Sequence, residues 1–388
     1  MPAFMRRSLC SISAGRSCNL ILRRFSVKTV PNTCFSTHVT ASLKGIAILL
    51  MLFHHLFARS AGFEKAYGVI SAPLSMHHLN LISDGAAICV SMFVFLTGYG
   101  MTLALKGRSS GEMEKYAVRH CLKLELSFLV VFLASAGTFF LRADGLSVYL
   151  KDGKASAIRY FLTDALGFAT YAGTPTYNET WWYISFAVFL ILLMPVVSRI
   201  IAFSGLPAVL LAGFVKSFGV DAMRPFARFL LILFLGAYLA DRNFFGRAAI
   251  FLSGVKKRFF FLLLTLLLSL SGYAVHLKWD LNPWANAFVV FMLVVFLFIL
   301  TDLFYIRLRF LELCGKYSMN IFLIHTLLYE YYFTGIIYKP RYFLLIEAVL
   351  LAMSLALSVP LAALQKYLLR KCRLTGPSAG QILHPAGR

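Results

Sequence analysis

Lys44 and His55 are notable because both lie in one strongly apolar segment, LKGIAILLMLFHH. They are eleven residues apart, close to three helical turns, so both side chains fall on one face of a helix with about 16 Å between their Cα atoms. Ionisable side chains in such segments are costly and often functional, and a neutral imidazole can accept a proton. The alternative is structural, with the Lys44 amine reaching out to water and His55 bonded to a neighbouring helix.

A second candidate pair, Ser318 and His325, lies in the later segment GKYSMNIFLIH. The two residues are seven positions apart, so they share a face across two helical turns. The alternative is that Asn320 and His325 form hydrogen bonds that join helices. In the first segment, His54 points about 100° away from His55, which favours a structural role for His54.

The composition places these residues in a membrane protein. Of the 388 residues, 60% are hydrophobic and 14% charged, and the mean hydropathy is +0.77. Soluble domains carry about 45–50% apolar and about 25% charged residues, so a soluble globular enzyme, a disordered chain and a disulfide-rich miniprotein are excluded. The net charge is +22, but the basic residues lie between apolar runs, as in membrane proteins. We therefore expect no nucleic-acid partner.

A helix that crosses a bilayer needs about 20 predominantly apolar residues. Ten segments approach this requirement, and we predict an all-α polytopic membrane protein with about ten transmembrane helices. The fifth segment is the weakest because it is short and contains Gly205 and Pro207. The segments are 43–58, 85–105, 124–141, 181–198, 203–217, 226–241, 259–276, 285–304, 317–336 and 343–365.

The distribution of basic residues predicts the orientation. With the N-terminus inside the cell, 26 of the 38 Lys and Arg residues fall in cytoplasmic segments, most clearly in 106–123 and 242–258. Cytoplasmic segments of membrane proteins carry such an excess, so we expect both termini in the cytoplasm.

The chain divides into one membrane domain and two tails. We predict a basic, disordered tail over 1–40, a transmembrane domain over 41–370 and a basic tail over 371–388. The alternatives for the first tail are a mitochondrial-type targeting peptide or an over-long start. The seven cysteines show no metal-ligand spacing, so we expect neither a metal site nor a structural disulfide.

Several segments, taken in order, resemble the acyltransferase-3 family of integral membrane acyltransferases, over about residues 40–370. The matching elements are Lys44 and His55 in the first helix, FVFLTGY at Phe93 to Tyr99, the Trp-led helix from Trp182 to Pro195, the set Leu235, Gly236 and Tyr238, and the helix from Cys314 to His325.

This resemblance implies transfer of an acyl group, such as the acetyl of acetyl-CoA, to an extracytoplasmic carbohydrate, and residence in a bacterial plasma membrane. His55 would be the general base or would carry the acyl group briefly. Lys44 would steer the donor or a phosphate, and His325 and Ser318 would orient the site. The expected partners are the lipid bilayer, acyl-CoA and a glycan acceptor, with no metal and with the oligomeric state left open.

The cytoplasmic loop 106–123 offers positive charge to the donor phosphates. We expect Arg119 and Lys123 to help bind acyl-CoA, the alternative being two solvated cytoplasmic anchors.

Two departures from the family pattern leave the acceptor open. Many members have an acidic residue after the Trp motif, where this sequence has Ala187 and Val188. Many also carry a fused SGNH esterase-like domain, whereas we expect a stand-alone membrane module here. The alternatives from other classes are a transporter or flippase for a sugar or lipid-linked substrate, and a non-catalytic binding or sensor subunit.

Overall fold

The computed structural model describes residues 36–58, 66–139, 147–215, 224–278 and 282–374. Within these ranges the chain is almost entirely helical, and the only β-type pairing is an isolated bridge between Ile70 and Tyr342. The predicted all-α membrane fold is therefore confirmed. Most of the two predicted basic tails lies outside the described residues.

Seventeen α-helices occur in the described part of the chain. They are α1 Thr37–Phe57, α2 Met76–Gly85, α3 Cys89–Leu105, α4 Ser110–Phe139, α5 Ser147–Leu150, α6 Lys154–Ala165, α7 Ala169–Ala172, α8 Trp182–Ser204, α9 Leu206–Phe214, α10 Arg224–Asp241, α11 Phe244–Phe251, α12 Val255–Lys278, α13 Pro283–Phe298, α14 Arg309–Lys316, α15 Ser318–Thr326, α16 Thr334–Ile337 and α17 Phe343–Lys371.

Shorter helical elements connect several of these helices. A 3₁₀ turn, Ala86–Ile88, joins α2 to α3, and another, Glu179–Trp181, leads into α8. Two π-helical segments, Ile299–Leu303 and Leu327–Tyr332, follow α13 and α15.

Seven described helical stretches are long and apolar enough to cross a membrane. An eighth arises if the pair α10 and α11, bent by 64°, forms one span. The seven stretches are Thr37–Phe57, Met76–Leu105, Ser110–Thr138, Glu179–Ser204, Val255–Lys278, Pro283–Leu303 and Phe343–Lys371.

Two of the ten predicted segments do not form helices of spanning length. In 203–217, Gly205 takes a positive φ of 59° and ends α8, and the next helix, α9, has only nine residues. Nine residues rise about 14 Å, less than half of a hydrocarbon core of about 30 Å. In 317–336, the nine-residue α15 runs into a π-helical segment. Apolar composition alone therefore overstated the number of full-length helices.

The first helix begins earlier than the boundary at residue 41 suggested. Ser36 caps α1, since its hydroxyl oxygen accepts hydrogen bonds from the backbone N–H groups of His38 and Val39. The Ser36 N–H and hydroxyl in turn donate to the Asp302 carboxylate, at 2.8 and 2.5 Å. This cap gives α1 a length of 21 residues, sufficient to span a bilayer.

Two glycines allow α1 and α14 to touch backbone to backbone. A Cβ atom on Gly45 would collide with the Leu311 carbonyl, and one on Gly315 would collide with the Ala41 carbonyl. Small residues allow such close approach in membranes, where packing is a main source of helix association. Because Gly45 follows Lys44 and Gly315 precedes Ser318 by three residues, this contact brings together two segments that carry candidate residues.

A similar seam joins α3 to α10. A Cβ atom on Gly98 would collide with the Leu233 carbonyl, and one on Gly236 would lie 2.5 Å from the Phe95 carbonyl oxygen. Gly98 of the FVFLTGY segment is thus required for packing, while Phe93 and Thr97 of the same segment face a central cavity.

Candidate active site

The candidate site is a cavity of about 600 Å³ between the helices. Its lining includes residues from α1, α3, α4, α8, α10, α12, α13 and α15. Most of its surface is apolar, and polar and basic side chains from several helices also line it. Volumes of this size are typical of small-molecule and cofactor sites.

The charges along the cavity have one sign. Two cationic side chains, Lys44 and Arg228, line it together with His54, His55, His120 and His276. Among the described residues, no Asp or Glu lines the cavity. A cavity whose charged lining residues, in the described part of the chain, are cationic favours an anionic ligand.

Lys44 and His55 lie on the same side of α1, as their spacing predicts, because both line this cavity. Within the described part of the chain, the Lys44 amine has no hydrogen-bond or ion-pair partner, and His55 has no hydrogen-bond partner. Both groups are therefore available to a ligand that enters the cavity.

His54 differs from its neighbour because its ring is fixed. The Nδ1–H of His54 donates to the Ser83 carbonyl oxygen at 2.8 Å, and the Ser83 hydroxyl donates to the Phe53 carbonyl oxygen at 2.9 Å. His54 still reaches the cavity wall. Its main contribution is to attach α1 to the end of α2.

The end of α2 is held by two further side chains from α12. The Tyr273 hydroxyl donates to the Ile82 carbonyl oxygen at 3.1 Å, and the Nε2–H of His276 donates to the Gly85 carbonyl oxygen at 3.0 Å. The last carbonyls of a helix often bond to side chains, and these two donors bond to carbonyls in the last turn of α2. They also fix the cavity wall beside His54.

His325 lies behind His55 and does not line the cavity. The two ring centroids are 5.0 Å apart, and His325 is fully buried. Its Nδ1–H donates to the Phe322 carbonyl oxygen at 2.7 Å, and its Nε2 accepts from the Thr326 hydroxyl at 3.2 Å. Both nitrogens are occupied, so His325 can position His55 but is poorly placed to exchange a proton with a ligand.

Ser318, the other residue predicted on that helix, does line the cavity and is 7% exposed. It begins α15, one position after the break at Tyr317. The spacing of Ser318 and His325 thus identified one residue in the cavity wall and one behind it.

The predicted donor-binding residues lie outside the cavity. Arg119 is exposed, and its guanidinium donates to the Arg373 carbonyl oxygen at 3.0 Å. Lys123 is half-buried on the same helix. The α4 residues that do line the cavity are Tyr116, His120 and Leu124. These residues lie at i, i+4 and i+8 and therefore share one face of α4.

The Trp motif at the start of α8 contributes to both the cavity wall and the helix packing. Trp181 is 3% exposed, and its indole N–H donates to the Leu323 carbonyl oxygen of α15 at 3.1 Å. Trp182 and Tyr183 line the cavity. The motif therefore connects α8 to the helix that carries His325.

The polar residues of the wall that did not figure among the predicted site residues include Arg228, His276 and Asn286. Arg228 lies at the start of the predicted segment 226–241 and belongs to α10, where its guanidinium lies 4.7 Å from the Phe229 ring centroid. His276 and Asn286 lie near the ends of apolar segments. The rule that marks polar residues inside membrane helices as functional could have identified both.

Among the described residues, no group of three or more His, Cys, Asp or Glu side chains is arranged to hold a metal ion. The four histidines of the cavity come from three helices, and two of them, His54 and His276, already donate to backbone carbonyls. The prediction that the site needs no metal stays a prediction.

Comparison with known families gives one match. The family model described as an acyltransferase domain, acyltransferase 3, matches residues 42–363. Searches of curated proteins and of solved structures give no match. The matched range includes α1 with its lysine and histidine, the helices that surround the cavity and α15, so the chain belongs to the acyltransferase-3 family and is a multi-pass membrane acyltransferase.

Proposed function

We propose that this acyltransferase moves an acyl group, in particular acetyl, from acyl-CoA to a hydroxyl of a carbohydrate or cell-surface glycan. The observation that carries the proposal is the position of His55, whose imidazole has no hydrogen-bond partner among the described residues and faces a cavity without carboxylates. The proposed setting is a bacterial plasma membrane, with both chain termini in the cytoplasm.

The charge of the cavity supports a donor that carries phosphates. Lys44 lies near the start of α1 and His55 near its end, so a donor held at Lys44 would extend towards His55 along the helix. A cavity of about 600 Å³ has room for an acyl-pantetheine arm, while the nucleotide would stay outside. Arg119 and Lys123 are exposed or half-buried on α4 and could contact its phosphates there.

The proposed chemistry is general base catalysis. The neutral His55 imidazole takes the proton of the acceptor hydroxyl as its oxygen attacks the thioester carbonyl. The C–O bond forms, the C–S bond breaks, and the proton passes from the imidazolium to the departing CoA sulfur. A brief transfer of the acyl group to the His55 nitrogen would obey the same balance.

His325 and Ser318 have supporting roles in this proposal. The His325 ring, held by Phe322 and Thr326, lies against His55 and restrains its orientation. The Ser318 hydroxyl lines the cavity and can donate a hydrogen bond to a ligand carbonyl or phosphate. The reaction needs no metal ion, so a chelator should leave transfer unchanged.

The direct test uses the purified full-length chain and acetyl-CoA labelled in the acetyl group. The release of free CoA reports thioester consumption, and the position of the label reports the product. Label in the glycan fraction of bacterial membranes supports the proposal. Retention of all label in acetyl-CoA contradicts it, and so does loss of activity with chelator that zinc restores.

A further inference from the structure

The part of the cavity wall formed by α12 and α13 contains two buried polar side chains with unused hydrogen-bonding capacity. His276 is 2% exposed and Asn286 is 5% exposed, and both line the cavity. The Nδ1 of His276 and the Oδ1 of Asn286 have no hydrogen-bond partner among the described residues. Buried polar atoms are nearly always paired, so two orphans in one cavity wall indicate a ligand.

The hydrogen bond on the other side of the His276 ring determines what this side offers. Because Nε2–H donates to the Gly85 carbonyl oxygen, the neutral ring presents Nδ1 as a hydrogen-bond acceptor. Asn286 presents an amide oxygen, also an acceptor. A ligand that pairs with both atoms supplies hydrogen-bond donors, as hydroxyl groups do and ionised phosphates do not.

The position of the pair separates it from the donor end of the cavity. His276 and His54 are held by the carbonyls of Gly85 and Ser83, two residues apart. Gly272 of α12 packs against Phe288 and Val289 of α13. This alignment of the two helices places His276 beside the first turns of α13, where Asn286 lies. Both acceptors are thus on the side of His54 and His55, away from Lys44.

We infer that His276 and Asn286 form a hydroxyl-binding subsite for the acceptor, which selects a polyol with further hydroxyls beside the one that is acylated. This inference rests on the proposed function and extends it to the acceptor. The reacting hydroxyl lies at His55, and neighbouring hydroxyls donate to His276 Nδ1 and Asn286 Oδ1. An alcohol with a single hydroxyl leaves both acceptors unpaired, and sites of this kind reject such analogues.

The principal variant is Asn286→Leu. Leucine has a similar volume and removes an unpaired buried oxygen without breaking any hydrogen bond of the described protein, so thermal stability should stay the same or rise. His276→Phe is the second variant. The matched control is Ser269→Ala, since Ser269 is buried on α12 but bonds only to the Thr265 carbonyl of its own helix and does not line the cavity.

The assay measures acetyl transfer from acetyl-CoA to methyl β-glucopyranoside, glycerol and cyclohexanol. Wild type should prefer the two polyols. Asn286→Leu should lose roughly tenfold in kcat/KM for the polyols, with unchanged kcat/KM for cyclohexanol, unchanged KM for acetyl-CoA and an equal or higher Tm. Ser269→Ala should behave as wild type.

Three results would overturn the inference. The first is no preference for polyols in wild type, and the second is polyol kinetics in Asn286→Leu equal to those of wild type. The third is a rise in the acetyl-CoA KM of Asn286→Leu, which would instead assign the pair to the pantetheine amides. If wild type consumes no thioester, the proposed function fails, and ligand stabilisation then tests the subsite alone. Methyl β-glucopyranoside should raise the Tm of wild type but not that of Asn286→Leu; equal shifts, or no shift in wild type, count against it.

Discussion

Two buried polar regions of this protein are organised in opposite ways. The first is the cavity, where Lys44, His55, the Nδ1 of His276 and the Oδ1 of Asn286 have no hydrogen-bond partner among the described residues. The second, which we call the outer cluster, consists of Tyr149, Asp164, Tyr177 and Ser135, and every one of these side chains is hydrogen bonded.

In the outer cluster the bonds converge on Asp164. The Tyr149 hydroxyl donates to its carboxylate at 2.6 Å, and the Tyr177 N–H donates at 3.3 Å. The Tyr177 hydroxyl pairs with Ser135, and the Tyr331 hydroxyl donates to the Tyr177 carbonyl oxygen at 2.7 Å. Satisfied buried networks stabilise a fold, whereas unsatisfied polar groups are costly. We infer that the outer cluster supports structure, whereas the unpaired polar groups of the cavity are available to a ligand.

Apart from the His55 variants, the largest effect is expected at Lys44. Lys44→Met removes an unpaired charge from the cavity, so the protein should accumulate normally while kcat/KM for acetyl-CoA falls about 10- to 100-fold, the range for a lost charge-assisted hydrogen bond. Lys44→Arg should keep much of the activity. The matched control is Lys256→Met, because Lys256 is exposed. The measurement is the steady-state kcat/KM for acetyl-CoA on equal amounts of folded protein. Equal losses in Lys44→Met and Lys256→Met would contradict the role.

In the outer cluster the opposite pattern is expected. Tyr149→Phe leaves the buried Asp164 carboxylate without its closest donor, which should lower the free energy of unfolding by about 1–3 kcal/mol with unchanged turnover per folded molecule. Thermal unfolding in detergent measures the first quantity and acyl transfer the second. Tyr171→Phe, at a residue that is 42% exposed, should change neither. A turnover defect without a stability defect in Tyr149→Phe would remove the distinction between the two regions.

A smaller effect is expected for the basic residues outside the cavity. Arg119→Ala and Lys123→Ala should each raise the KM for acetyl-CoA about two- to fivefold with little change in kcat, because exposed charges contribute up to about 1 kcal/mol. The difference from wild type should shrink at high salt. Arg247→Ala, also exposed, serves as control. An unchanged KM in the double variant would assign both residues to membrane orientation alone.

The smallest effect concerns pH. Burial raises the pKa of the Asp164 carboxyl above its ordinary range, so the folded state holds a proton more tightly than the unfolded state. The stability from this group is present below the ordinary Asp pKa and is lost as pH rises through the raised value. Relative to Asp164→Asn, wild type should therefore become less stable with increasing pH in thermal unfolding series. A constant difference across the series would refute this assignment.

Much of the cavity could be predicted from the sequence because its residues follow helical spacing. The eleven-residue interval between Lys44 and His55 predicts one shared helix face, and both residues line the cavity. Helical spacing also singled out Ser318, which lines the cavity as well. The rotation of α4 could not be predicted, because the face that meets the cavity depends on tertiary packing. Arg119 therefore lies outside the cavity wall, whereas its neighbour His120 lines it.

The fold was predictable in class and less so in detail. Hydropathy located the seven long stretches but did not separate α9 and α15 from full-length spans, since a short apolar helix has the same composition as a long one. The backbone contacts at Gly45 and Gly315 also had no signal of their own. A glycine that permits close approach cannot be distinguished in one sequence from a glycine that does not.

The catalytic role of His55 is tested most directly by acyl transfer per mole of folded protein in His55→Ala, His55→Gln and His54→Ala. General base catalysis contributes roughly 10²–10⁴ in rate, so both His55 variants should lose that much while the protein still accumulates. His54→Ala breaks the bond to the Ser83 carbonyl, so it should lower the amount of folded protein more than the rate per molecule. If His55→Gln stays within a few-fold of wild type, or if its loss follows protein level, His55 is a packing residue and the catalytic assignment is wrong.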